Sequence, residues 1–426
     1  MEQITKQVNT IAHKKGTLSN KVVGKYRDFI FGVLANLRGA SMEVMEDNEL
    51  FFWGEKGSVL HGKIIVRDPS FYQDVVLNGS LGAAEAYLDG KWDSPDLTAV
   101  IQVMARNQAQ LDQVDSQIKW FNRLQKWLLR RKNMNTEQGS KRNILAHYDL
   151  GNELYTRFLD PSMQYSCAIY NGKSDTLSQA QQHKMHTICE RLEINADDHI
   201  IEIGTGWGGL AIYMAEHYGC HVTTTTISDA QYQYTAEKIQ QLGLNDRITL
   251  LNKDYRQLSG KYNKLVSIEM IEAVGHEYLA TFLNKCSELL EDDGKMLIQS
   301  ITIADGRYEN YRKSTDFIQK YIFPGGCLPS VAIITNKMAQ HTDLVVHEMH
   351  DIGLHYARTL FDWRVGFEER WDQLKELGYT EEFRRLWLFY LCYCEGAFLQ
   401  RTISTHHVIA RKPRFRGQQD EIVLGY

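Results

Sequence analysis

What this chain lacks narrows its nature before any motif is read. Only 6 of its 426 residues are proline and 31 are glycine, which excludes a collagen-like or low-complexity polymer. An excess of positive charge is missing: 48 Lys and Arg stand against 53 Asp and Glu, a net charge of −5. General nucleic-acid binders read strongly basic, so no nucleic-acid partner is expected. There is no C-x-x-C pair. Cys167, Cys189, Cys220, Cys286, Cys327, Cys392 and Cys394 are odd in number and scattered, so neither a metal cluster nor a disulfide framework is expected. Long apolar runs are missing too. The most apolar stretch, Leu386 to Leu399, spans 14 residues and contains Glu395, whereas a membrane-spanning helix needs about 20. The opening Met1-Glu2-Gln3-Ile4-Thr5-Lys6 lacks the charged start and apolar core of a secretory signal. The expectation is a soluble, cytoplasmic protein that still has the option of lying on a membrane.

What is present divides into three parts. Residues 1–118 predict a small α+β domain. An amphipathic helix lies near Tyr26–Leu37, strand-like alternation runs over 42–68, and 69–107 reads as helix–turn–helix with turn signals at Asn78-Gly79, Asp89-Gly90 and Ser94-Pro95. Residues 119–145 form a basic amphipathic helix and linker. Lys119 to Arg142 holds eight basic residues and one acidic, Glu137, while Trp120, Leu124, Trp127 and Leu128 share one helix face. Such a helix suits an anionic lipid surface, or equally an interdomain position with a solvated basic face. Residues 146–426 alternate strands with helices, the pattern of a doubly wound parallel α/β sheet. Candidate strands are His199–Ile203, His221–Thr226, Ile248–Asn252, Leu265–Ile268 and Lys295–Ile303. Candidate helices are Thr176–Leu192, Gly208–Tyr218, Asp229–Leu242 and Tyr278–Leu290.

The clearest local signal is His199-Ile-Ile-Glu202-Ile-Gly204-Thr-Gly206-Trp-Gly208-Gly209, an apolar strand ending in a glycine turn that opens a helix. Glycines there let the backbone approach a ligand at the carboxyl edge of the sheet. Gly204, Gly206 and Gly209 satisfy the dinucleotide spacing G-x-G-x-x-G. Glu202, Gly204, Gly206 and Gly208 satisfy the E-x-G-x-G-x-G form of S-adenosylmethionine (SAM) methyltransferases. A tight turn with no ligand is the bland third reading. A dinucleotide enzyme wants an acid about 20 residues on, and the next strand instead ends in four threonines, Thr223 to Thr226. A nicotinamide oxidoreductase is therefore the weaker choice, although the commonest methyltransferase pattern likes an acid there as well.

Those threonines sit among blocks that resemble one family. His147-Tyr-Asp-Leu-Gly-Asn-Glu-Leu-Tyr155, Phe158-Leu-Asp-Pro161, Tyr165-Ser166-Cys167, Ile203-Gly-Thr-Gly-Trp-Gly-Gly209, Thr226-Ile-Ser-Asp-Ala-Gln231, Asp254-Tyr255, Glu272-Ala-Val-Gly275, Tyr321 to Ser330 and Cys394-Glu-Gly-Ala-Phe398 follow one another in the order of the cyclopropane fatty acid synthases. Gly79 to Gly90 followed by Trp92-Asp93 is similar to the amino-terminal lipid-binding region of the bacterial members. The resemblance implies a SAM-dependent C-methyltransferase acting on the cis double bond of unsaturated phospholipid acyl chains. It would work at the inner face of the cell membrane, with a homodimer as a candidate assembly. Cofactor contacts would come from Tyr165, Ser166, Glu202, Gly204, Gly206, Gly208, Thr226, Gln231, Asp254 and Tyr255. A bicarbonate ion would be held by Cys167, Glu272, Gln299, the backbone of Ile301 and Tyr356, with Glu272 giving negative charge near a developing carbocation.

Two departures stand out. The family's usual histidine is here Gln299, which can donate to an anion but cannot take a proton. The familiar Glu-His pair is Glu272-Ala273, and Glu269 stands where a small residue is common. These bear on ring closure more than on methyl transfer, so a methyl- or methylene-branched product is an alternative outcome. A catalytically decayed lipid-binding protein is another.

Overall fold

The computed structural model describes residues 20–108, 139 and 151–417. The basic segment 119–132 and the start of the His147 block lie outside these residues. The described chain forms two compact units. One holds 20–108, Ser314–Ile322 and Leu360–Thr402; the other holds 151–313, Phe323–Thr359 and 403–417. Among the described residues, no helix is long and apolar enough to cross a membrane.

The first unit is an α+β fold around a four-stranded sheet of order β2-β1-β3-β4, with β1 Ser41–Glu46, β2 Glu49–Gly54, β3 His61–Val66 and β4 Trp92–Asp93. Asp47 and Asn48 both have positive φ (48° and 68°), the backbone a two-residue hairpin needs to match the twist of β1 and β2. The helix Asn20–Leu34 starts earlier than the sequence pattern suggests. The Asn78-Gly79 signal turns out to be a break within the helix Ser70–Leu88, where Gly79 adopts φ 61° and ψ −138°. Asp96 caps the next helix, Leu97–Arg106, by accepting from the Ala99 N–H at 2.9 Å.

The division of the chain is not the linear one expected at 118 and 145. Two later segments join this unit because the aromatic helix Glu381–Leu399 packs against Leu97–Arg106. Glu395, the one acid in the apolar stretch, is buried there with its carboxylate accepting from Thr98 Oγ1 and Arg364 Nε, both at 3.0 Å. Gly396 makes the contact possible: a Cβ built on it would lie 2.7 Å from Ile101 Cγ2 and 3.0 Å from Ile101 Cβ. Glycine inside a helix costs about 1 kcal/mol against alanine, but overpacking at a closed contact costs about 1–3 kcal/mol, so the clash decides. Gly396→Val should therefore lower the melting temperature by several degrees in a thermal scan, and an unchanged transition would show that the two helices are not in contact there.

The second unit contains a seven-stranded sheet of order β10-β11-β9-β8-β5-β6-β7. Its strands are β5 His199–Ile203, β6 His221–Thr226, β7 Ile248–Asn252, β8 Tyr262–Ile268, β9 Leu290–Ile303, β10 Val345–Asp351 and β11 Ile403–Arg411. The first three match the sequence expectation residue for residue, and the four expected helices appear as Leu177–Leu192, Gly209–Tyr218, Asp229–Gln241 and Leu279–Leu289. The Thr176 and Gln179 side chains close a capping box on the first of these. The sheet is mostly parallel, with β11 alone running against its neighbours β9 and β10. β10 and β11 escape a sequence reading because one is an exposed edge and the other carries His406 and His407 in place of aliphatic residues. The chain winds outward from β5 to β7, then returns to place β8 and β9 on β5's other side. Ligands of such sheets gather at this reversal, beyond the carboxyl ends of the strands.

Candidate functional site

The loop after β5 is the first component. Gly204, Gly206 and Gly208 have φ of 100°, 54° and 87°, a region that side-chain-bearing residues avoid. They divide by what faces them. A Cβ on Gly208 would lie 2.6 Å from Thr235 Cγ2, and one on Gly209 would lie 2.2 Å from Ser162 O, so both glycines serve packing. A Cβ on Gly206 would meet nothing within 4 Å. The backbone at Gly206 therefore faces open space, as a cradle for a ligand requires. Glu202 lies beneath. It is 2% exposed and hydrogen-bonded at 2.5 Å to Thr224 Oγ1, itself 2.6 Å from Thr205 Oγ1 in the loop, so it braces the loop from within. Burial raises its carboxyl to about 8.

The other expected cofactor residues come to the same end of the sheet. Thr226 Oγ1 donates to Gln231 Oε1 at 2.9 Å, under the Ser228-capped start of the helix Asp229–Gln241. Asp254 accepts from Arg256 Nε and its terminal nitrogen at 2.8 and 2.7 Å, so its charge is already matched within the loop after β7. The Tyr255 ring packs edge-on to Phe282. Tyr165 packs against Tyr155, which also contacts Trp207 of the glycine loop. Ser166 Oγ accepts from Lys184 Nζ at 2.8 Å.

The second component is the turn after β8, holding Glu269 and Glu272. It adjoins the loop: Met270 Cβ lies 3.4 Å from where a Gly204 Cβ would be. The five residues implied for the anion pocket do come together here, but around the chain's own carboxylates. Glu269 Oε1 accepts from the Cys167 N–H at 3.0 Å and from Gln299 Nε2 at 2.7 Å, and its Oε2 accepts from the Tyr356 hydroxyl at 2.6 Å. Glu272 Oε1 accepts from the Ile301 N–H at 2.5 Å and Ser300 Oγ at 3.1 Å, while its buried Oε2 has no partner among the described residues. These residues do not fit a bicarbonate ion as the resemblance implies, because the donors that would hold it are engaged.

Two half-buried carboxylates that feel one another's charge do not both ionise readily. Burial, followed by the charge of Glu269, raises Glu272 to about 8. Burial also raises Glu269, against three hydrogen bonds that favour its charged form. Three hydrogen bonds thus favour the charged form of Glu269, while the unpartnered Glu272 Oε2 offers a place for a proton. Glu269 thereby stands beside Glu272 as a second carboxylate able to supply the expected negative charge.

Several residues that sequence reasoning did not assign to the site hold Glu269 in place. Its φ is 51°, an uncommon conformation for a residue with a side chain, costing about 1 kcal/mol. Its N–H donates to Gln299 O at 2.8 Å. Arg191 donates to His407 Nδ1 at 2.6 Å, so Nε2 carries the imidazole proton and donates to Gln299 Oε1 at 2.8 Å. That leaves the Gln299 NH2 facing Glu269. Burial, followed by the Arg191 charge, keeps His407 well below its ordinary value and neutral. Lys184 is fully buried and donates to Gln164 Oε1 and Ser166 Oγ; burial lowers it to about 8, and the Glu269 charge pulls the other way. Burial also drives the Cys167 thiol far above its usual value, so Cys167 serves through its backbone N–H. None of these roles has a local signature, since each partner comes from a different strand or helix.

A model of the mycolic acid cyclopropane synthetase family matches residues 135–408. The chain is 35% identical over 331 residues to the tuberculostearic acid methyltransferase of Mycobacterium tuberculosis, covering 75% of this chain and 76% of that one. It is also 35% identical over 348 residues to the cyclopropane-fatty-acyl-phospholipid synthase of Escherichia coli, covering 81% and 87%. A mycolic acid cyclopropane synthase complexed with SAH and CTAB superposes with a TM-score of 0.58 at 28% identity, over 64% of this chain and 98% of its own.

Two outcomes follow from the site. Gly206→Val places a branched side chain, at strained φ, in the open space over the loop; calorimetry should find SAM binding lost, and unchanged affinity would remove the loop from the cofactor site. Glu202 generates a pH dependence of stability. Its folded value, about 8, lies above the ordinary 4.5, so the folded state holds the proton longer. This stability is complete below pH 4.5 and is lost as pH rises through 8. Lys184, lowered from 10.5 to about 8, acts only above that window and with opposite sign. Melting temperatures of the parent should therefore fall more steeply from pH 5 to 8 than those of Glu202→Gln, and parallel curves would mean that Glu202 is not buried as described.

Proposed function

This chain belongs to the mycolic acid cyclopropane synthetase family and is a SAM-dependent methyltransferase, and on that premise we propose that it methylates the cis double bond of unsaturated phospholipid acyl chains. The observation that carries this reading is the pair of half-buried, hydrogen-bonded carboxylates in the turn beside the glycine loop. An alkene is a weak nucleophile, and when it accepts a methyl group a positive charge develops on carbon. A fixed anion in a buried setting stabilises such charge far better than one in water.

SAM, when bound, supplies an electrophilic methyl group. The loop at Gly204 and Gly206 would hold it by close backbone approach, with Tyr165, Thr226, Gln231, Asp254 and Tyr255 around the same strand ends. Glu269 supplies the charge, with Glu272 beside it as a second carboxylate. The bound lipid and SAM would have to close off this half-buried turn, so that water does not compete for the cation. The acyl chains of phospholipids reside in bilayers, so the protein would act at a membrane surface on the cytoplasmic side, reached without a spanning helix among the described residues. The similarity to a tuberculostearic acid methyltransferase favours a second outcome, a branched chain formed from the same methylated cation.

The test is transfer of isotopically labelled methyl from SAM to phospholipid vesicles. Dioleoyl phosphatidylglycerol should take up label, and dipalmitoyl phosphatidylglycerol should take up none. Chromatography of the released fatty acids before and after hydrogenation should separate ring from branch. Label in the headgroup, or equal label in both lipids, would show that the double bond is not the acceptor.

A further inference from the structure

We propose that Glu269 is the resident base of this enzyme and takes the place of a bicarbonate ion, so that turnover needs no dissolved anion. The inference rests on the alkene-methylation reading above and names the group that completes it.

Four of the donors implied for an anion are satisfied by the chain itself. Cys167 N–H, Gln299 NH2 and Tyr356 OH converge on Glu269, and Ile301 N–H donates to Glu272. A free anion entering this cluster would have to displace a tethered carboxylate from three charge-assisted hydrogen bonds. The backbone agrees. Glu269 sits at φ 51°, where glycine would be comfortable, and a strained conformation persists only where its surroundings over-determine it. The surroundings are built for a carboxylate: the run Arg191, His407, Gln299 ends in an amide NH2 aimed at Oε1, and Gln299 O holds the Glu269 N–H. An imidazole at position 299 is unnecessary for proton removal if the base is already tethered. Burial raises the carboxyl of Glu269, which brings it nearer the strength a base needs at neutral pH.

The step balances without another reagent. The π pair of the alkene forms the new bond to the transferred methyl carbon, and the pair of the old carbon–sulfur bond leaves with sulfur. The far alkene carbon is left cationic. Glu269 then takes a proton from the new methyl group, and the freed C–H pair closes the three-membered ring on the cationic carbon. Glu269 ends as a carboxylic acid and returns its proton to solvent after the product departs.

The experiment uses the full chain, labelled SAM and dioleoyl phosphatidylglycerol vesicles, in buffer purged of carbon dioxide and then with added bicarbonate. The parent should turn over at the same rate in both. Glu269→Gly relieves the backbone and opens the cluster: it should bind SAM with parental affinity by calorimetry, lose about 100-fold or more in rate in purged buffer, and recover substantially with bicarbonate. Glu269→Gln keeps the bulk and loses the charge, so it should lose as much and show no recovery. A parent that depends on added bicarbonate overturns the inference. So does Glu269→Gly at the parental rate in purged buffer, or a SAM-binding Glu269→Gly that bicarbonate does not restore. A parent that methylates no unsaturated vesicle instead overturns the proposed function itself.

Discussion

A half-buried carboxylate at the carboxyl end of β8 has to be satisfied, and several elements of the second unit meet that need. Glu269 takes donors from the segment after Asp160, from β9 and from the helix that begins at Gly353. β11 contributes His407, which orients the β9 amide, and the helix Leu177–Leu192 contributes both Arg191 and Lys184. Leaving a buried carboxylate without partners costs several kcal/mol. The positions of these elements and the charge of Glu269 are thus mutually dependent. The rise of Glu272 follows from the same constraint, because burial and the neighbouring Glu269 charge outweigh the hydrogen bonds it accepts from Ile301 and Ser300.

The glycine loop shows a different economy. Four glycines in six residues look equivalent in the sequence, yet only Gly206 faces open space, whereas Gly208 and Gly209 permit close packing and Gly204 turns past Met270. Positive φ at three of them makes the turn possible, and Glu202, Thr224 and Thr205 brace it from the buried side. A flexible composition thereby yields a rigid cradle, which is what a cofactor needs if its reactive carbon is to be held near Glu269.

Membership of the family and departure from its pattern carry different information. The matched region and the relatives establish the chemistry class. Gln299 and Glu269, which depart from the usual residues, are bonded to each other at 2.7 Å. The amide on β9 and the carboxylate on the β8 turn therefore act as one hydrogen-bonded unit.

The sequence by itself determined the parallel core, because its strands read as short apolar or threonine runs set between helical patterns: β5, β6 and β7 were legible to the residue. It also determined the glycine loop, whose spacing is a local property, and through ordered blocks it pointed to the family and to every member of the anion cluster except Glu269. Only the tertiary structure decided that Glu269 fills that cluster, that His407 and Arg191 fix the Gln299 amide, and that β11 runs antiparallel. It also decided that segments beyond residue 313 pack with the first unit. The reason is physical: which donor meets which carboxylate, and which of two acids keeps the proton, depends on through-space distances among residues up to 216 positions apart, and no window of sequence contains them.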